Sequence, residues 1–239
     1  MGFSTGSHPE HRSMIGQDKL LQAQLFSQAM ENGFTSISRS VYYRIEGRLI
    51  RSFSLHYTPG KYSCDIRFGV SAISASDLPI GEESIPLSAF SSKFNWGGYR
   101  LQQDEPDRVI EEIVGDVTRV IFPFYHKCTD IRSALDELLT LLNNSPFKKE
   151  SFLLIPDIYD LATECREYDL MYQCRELLCK NNRSAYEQTG NKRALELIQK
   201  QEQEISHIRL KDDDYFDGIM RENEKKNKLK LKTIAERKA

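Results

Sequence analysis

"SVYYRIEGRLIRSFSLHYTPGKYSCDIRFGVSAI", residues 40–73, alternates apolar and polar side chains for most of its length. A period of two is the spacing of strands, whose side chains point to opposite faces in turn. Ile37, Val41, Tyr43 and Ile45 share one phase, Leu49, Phe53, Leu55 and Tyr57 a second, and Tyr62, Cys64, Ile66, Phe68 and Val70 a third. Glu46-Gly47 and Pro59-Gly60 fall between the runs as turn signals. The pattern predicts three antiparallel strands in a meander, with one apolar face packed on helices. Tyr42, Arg44, Ser52, Ser54, His56, Asp65 and Arg67 are then expected on the other face, while Arg39 and Arg51 interrupt the apolar phase.

Working outward, Leu21, Leu25 and Ala29 recur at helical spacing between Asp18 and Asn32, and Gly33 stands where a helix C-terminus favours positive φ. The Ser-, Pro- and Gly-rich stretch from Ser74 to Gln103 is long for a plain connection, so a short fourth strand or packed loop is expected around Trp96–Leu101. Trp96, the single tryptophan, reads as a core or sheet-edge anchor. Asp104 and Pro106 then open a helix with an apolar stripe through Val109, Ile110, Ile113, Val117 and Ile121, which Pro123 should end or kink. Thr129 or Asp130 caps the next helix. Beyond Pro146 only helical patterns follow, ending in a charged segment.

These elements predict an α+β fold: an antiparallel meander of three to four strands packed on one face by helices, then an all-helical C-terminal segment. Residues 1–16 read as a flexible arm, 17–145 as the α+β domain, 146–210 as a helical extension and 211–239 as a charged helix or tail.

Charge is unevenly spread. From Arg221 onward the chain carries eight Lys or Arg against three Asp or Glu, which leaves the first 220 residues at -7 although the whole is at -2. That balance argues against nucleic-acid binding except through the tail after Arg221. The five cysteines are odd in number and show no C-x-x-C pair, so a reducing, cytoplasmic setting is expected. The opening "MGFSTGSHPEHRS" lacks the apolar segment of a secretory signal, and no run reaches the roughly 20 apolar residues that span a bilayer, so no membrane association is expected.

Chemical motifs are few. Neither glycine-rich phosphate loop occurs, and no cofactor or metal is expected. "DDDYFDG" at Asp212–Gly218 resembles a calcium loop only loosely, because its Gly is one place late and the twelfth position is Asn223. His126 and Cys128 are two residues apart but make neither a zinc set nor a nucleophile with its orienting group. Acid pairs such as Asp157 and Asp160 read as solvated helix faces. The polar sheet face is left as the candidate site, with Tyr42, Arg44, His56, Asp65 and Arg67 as partner-binding residues; the plain alternative is a water-facing side laced by ion pairs.

Gly33-Phe34, Tyr43-Arg44, Trp96 and "IFPFY" at Ile121–Tyr125 occur in an order that resembles a bacterial family catalogued as domain of unknown function 4304, over residues 18–142. The resemblance implies an N-terminal helix, Tyr-rich strands and a long closing helix, and it brings no catalytic residues. Together with the absent motifs it makes a non-enzymatic protein-binding module, by analogy immunity-like, the leading expectation. An enzyme with a pocket between sheet and helices, using His56 or His126, is the alternative, and an RNA-associated protein using the basic tail the second.

Overall fold

The computed structural model describes residues 9–58, 63–76, 78, 80–81, 84–90, 98–100, 106–144 and 153–236, with side chains for all of these except 9–17 and 106. Trp96, Asp104 and Tyr62 lie outside the described residues. The class is α+β, and the sheet is an antiparallel meander. After helix α1 (Pro9–Glu31) come β1 (Thr35–Ser38), β2 (Val41–Glu46), β3 (Leu49–Thr58), β4 (Ser63–Ala72) and the two-residue strands β5 (Ile85–Pro86) and β6 (Tyr99–Arg100). The order is β1-β2-β3-β4-β5, with β6 also paired to β4. Helices follow: α2 (Pro106–Asp116), α3 (Phe122–Lys127), α4 (Ile131–Asn143), α5 (Ile155–Cys165), α6 (Tyr168–Thr189), α7 (Lys192–Leu210) and α8 (Asp213–Glu236).

Among the described residues the sheet has six strands, two of them only two residues long, where the alternation suggested three or four. The first run is split by a turn at Arg39-Ser40, and a register shift between Ser36 and Ser38 moves the phase. No Gly or Pro marks that turn; the Tyr42 hydroxyl donates to the Arg39 carbonyl at 2.9 Å across it. Around Trp96–Leu101 the expected short strand is present as β6, where Tyr99 pairs with Cys64. Gly98 enters it with φ +73, and a Cβ there would stand 2.6 Å from the Cys64 carbonyl oxygen, so both conformation and space demand glycine.

The chain divides into two compact units. One comprises the residues up to Arg44, Arg51–Gly69 and Ile80–His126; the other Ile45–Ile50, Val70–Pro79 and Lys127 onward. The chain thus passes to the second unit between His126 and Lys127, ahead of the boundary expected at Pro146. The reason lies in α4, whose buried Ala134, Leu135 and Leu138 belong to the packing of the later helices.

In the first unit the core is aromatic. Gly33, at φ +74, turns the chain out of α1, and the Phe34 amide donates back to the Ala29 carbonyl at 2.9 Å. Phe34 meets Phe53 edge-on at 5.3 Å, Tyr42 stacks on Phe53 at 4.8 Å, and Phe122 approaches Phe53 at 6.3 Å. The helical run does not end at Pro123. A π-helical turn, Val117–Ile121, precedes it and joins α2 to α3; the wider turn accommodates a residue that lacks an N–H and whose ring would clash with the preceding turn.

In the second unit, α8 is a packed helix and not a frayed tail. Phe216, Asn227 and Leu231 are buried along one face, and Asn227 Nδ2 donates to the carbonyls of Ile73 and Ala75 at 2.9 and 2.8 Å. The acidic run at its start is structural: the Asp212 carboxylate accepts from the Tyr215 amide at 3.1 Å and contacts His207 Nδ1 at 2.8 Å, while Asp213 and Asp217, in the first turns of α8, hold Arg166.

Candidate functional site

The structure does not gather the five sheet residues on one surface. Tyr42 is fully buried against Phe53, on the core side, because the break at Arg39-Ser40 inverts the phase expected for β2. Arg44 shares that phase and donates through Nη1 to the Asn32 carbonyl at 2.9 Å, beside Gly33. Asp65 is held by the amide and hydroxyl of Ser88, at 3.2 and 2.7 Å; burial raises its carboxyl above the ordinary range, and the Ser88 bonds oppose that. His56 Nε2 lies 2.6 Å from the Ser54 hydroxyl, and Arg67 is exposed. Nor is this side of the sheet open along its length, since every residue from Leu49 to Leu55 is buried, Ser52 and Ser54 included. The Ser54–His56 contact is no reactive pair of the accessible kind, as the serine is 1% exposed.

The described residues contain no group of three or more His, Cys, Asp or Glu able to hold a metal, and no helix long and apolar enough to cross a membrane. His126 is exposed while Cys128 is buried. Burial pushes the Cys64 and Cys174 thiols up to about 12, which makes them inert packing groups.

Polar side chains from several elements converge instead inside the second unit. The turn at Ile73–Ser76 is gripped by α5 and α8: Ser74 bonds Glu164, the Ser76 amide and hydroxyl donate to Asp160 at 3.3 and 3.4 Å, and Asn223 Nδ2 donates to the Ser74 carbonyl at 3.2 Å. Beside this turn lies a cavity of about 580 Å³ walled by α5, α6, α7 and α8. Arg175 Nε stands 2.5 Å from Glu204 Oε2, with its guanidinium 3.6 Å above the Tyr159 ring. The Tyr159 hydroxyl donates to the same carboxylate at 3.0 Å. Glu204 is 3% exposed, so this is a buried ion pair; the Tyr159 hydroxyl gives the carboxylate a hydrogen bond, while Arg175 Nε, close as it stands to Glu204, is not aligned for one. Burial works against the Arg175 charge, and Tyr159 and Glu204 more than restore it. The half-buried Asp160 carboxyl is pushed up to about 7, first by burial and then by neighbouring Asp157.

Sequence reasoning set Asp160 aside as solvated and passed over Arg175 and Glu204. A signal was present: Ala194, Ile198, Gln201 and Ile208 follow the buried seam of α7, and a polar Gln201 occupies an apolar place next to Glu204.

The second unit also carries an exposed arm. α6 and α7 are antiparallel and joined by Gly190, at φ 65, and Asn191, whose Oδ1 caps α7 by accepting from the Arg193 amide at 3.0 Å. Their inner halves meet through Cys179, Ile198 and an Asn182-to-Gln201 amide bond of 3.1 Å. Every residue from Arg183 to Arg193 is exposed.

Comparison with models of protein families, with curated proteins and with solved structures finds no match to this chain. The likeness to domain of unknown function 4304 therefore rests on the quoted motifs alone.

Proposed function

We propose that this protein is a non-enzymatic protein-binding module whose binding element is the α6–α7 arm. The observation that carries this reading is the unbroken exposure of Arg183–Arg193 across the outer ends of two long helices. Helical ends that bury nothing gain little from tertiary packing, and such surfaces are where helical modules meet partners. The outer arm is basic: Lys180, Lys192 and Arg193 stand against Glu187, Arg183 is paired with Glu202 of α7, and Tyr186 is 37% exposed on the same arm. An exposed aromatic on an arm where cations outnumber carboxylates suits a partner with an acidic surface, which steers encounter as well as holding it. The first unit offers less, because Tyr42, Arg44 and Asp65 are engaged within their own fold.

The test is affinity capture with the full chain from the cells that produce it, against two variants shown to be folded. One carries Arg183→Glu, Tyr186→Ala and Arg193→Glu on the arm; the other carries His56→Ala and Arg67→Ala on the sheet. A stoichiometric acidic protein retained by the parent and the sheet variant but lost by the arm variant is the expected result. Retention by the arm variant, or no protein captured by the parent, overturns the reading.

A further inference from the structure

The cavity beside the Ile73–Ser76 turn has an unusual balance of satisfied and unsatisfied charge. Arg175 and Glu204 are committed to each other and to Tyr159. Asp160, in the same wall, is not so well served. Its two donors, the amide and hydroxyl of Ser76, stand at 3.3 and 3.4 Å, at the outer limit of hydrogen-bond geometry, whereas the Ser88 hydroxyl reaches Asp65 at 2.7 Å. A half-buried carboxyl with long bonds gains most from a closer, positively charged donor. Lys200, on α7, is likewise loosely held, 4.0 Å from Glu204 and 67% exposed at its side chain. Phe216, Ile219 and Met220 add an apolar wall from α8.

We propose that this cavity takes a small amphoteric ligand of amino-acid or short-peptide kind, whose ammonium group donates to Asp160 and whose carboxylate meets Lys200. The volume of about 580 Å³ is within the range of small-molecule pockets and leaves room for an apolar side chain. The charged groups around Asp160 are Asp157 on its own helix, Arg175 on α6, Glu204 and Lys200 on α7, and Glu222 and Lys226 on α8. Arg175 and Glu204 neutralise each other, which leaves Asp157, Asp160 and Glu222 against Lys200 and Lys226, so the wall offers both a carboxyl for the ammonium and an amine for the carboxylate.

The experiment is titration of the isotopically labelled full chain with glycyl-leucine, followed by amide NMR. The expected result is a saturable shift of the Ser76 amide with a Kd of about 1 mM, the scale for a ligand of this size. Affinity should rise about fivefold between about pH 6 and about pH 7.5 as Asp160 gives up its proton, and fall again above about pH 8 as the α-amino group of the probe loses its own. Asp160→Asn and Lys200→Gln should each weaken binding several-fold; the exposed Lys200 keeps the test open if the Asp160 variant does not fold. N-acetylation of the probe should abolish the shift. No saturable shift up to about 20 mM, more than tenfold above the expected Kd, overturns the proposal. Equal binding of the acetylated probe, or unchanged binding by both variants, overturns it as well.

Discussion

Phe53 in the first unit and Glu204 in the second are both buried, 0% and 3% exposed, yet what surrounds them differs in kind. Phe53 touches Phe34, Tyr42 and Phe122, rings that need only to be excluded from water. Glu204 is held by Arg175 and Tyr159, and its burial is tolerable only while both remain. A core of rings tolerates shape change by graded loss, whereas a core of paired charges fails when one member is removed. Around Phe53 the first unit is thus built for packing, although it too buries a carboxylate, Asp116, which accepts from the Tyr99 hydroxyl at 2.8 Å, while around Glu204 the second places specific polar groups next to a cavity.

The sharpest way to break this contrast is to truncate its two centres. Phe53→Ala removes a ring from a three-sided aromatic contact and should cost about 3–5 kcal/mol in denaturant unfolding. Glu204→Ala strands the buried Arg175 guanidinium and should cost about 3 kcal/mol or more, while the double replacement Arg175→Met with Glu204→Leu should recover most of it. Recovery is the discriminating result. If the double variant is as weak as the single, the pair is not a self-contained charge unit and the contrast fails.

A smaller effect tests whether α8 belongs to the second unit. Asn227→Ala leaves the carbonyls of Ile73 and Ala75 without their donor in a buried place. Because Asn227 Oδ1 is itself buried with no hydrogen-bond partner among the described residues, the net cost should be about 1–2 kcal/mol. Hydrogen exchange at residues 73–76 should speed up in this variant, and unchanged exchange there would mean that α8 does not grip the turn.

How far the sequence could be read follows from the same contrast. Period two and period 3.6 report exclusion from water, so the meander, the stripe of α2 and the helical C-terminal part were legible. The turn at Arg39-Ser40 was not, because Ser and Arg carry no positive-φ signature and a register shift leaves no mark in composition. That one turn inverts β2 and moves Tyr42 and Arg44 to the core side. The cavity was hidden for another reason: a charge buried against a partner far along the chain looks, residue by residue, like a charge in solvent. Asp160 follows Asp157 on α5, and nothing local tells which of them faces Ser76, 84 residues away.

The smallest effect concerns Asp160 itself and separates packing from polar organisation by pH. Its carboxyl is raised from 3.8 to about 7, so the folded protein binds a proton that the unfolded chain releases near pH 4. Above about pH 7 both states are ionised and the folded state bears the unfavourable buried charge; as pH falls from 7 towards 4, proton uptake by the folded state adds stability. Asp160→Asn carries no such charge at any pH. The variant should therefore exceed the parent in melting temperature at about pH 8, and the advantage should shrink by about pH 5. A difference between the two that stays constant with pH would show that Asp160 ionises as freely as a surface carboxylate, and that the wall beside the cavity is not electrostatically tight. Applied to Asp65→Asn in the first unit, the same measurement should give a more even trade, because Ser88 already offers that carboxylate two good donors.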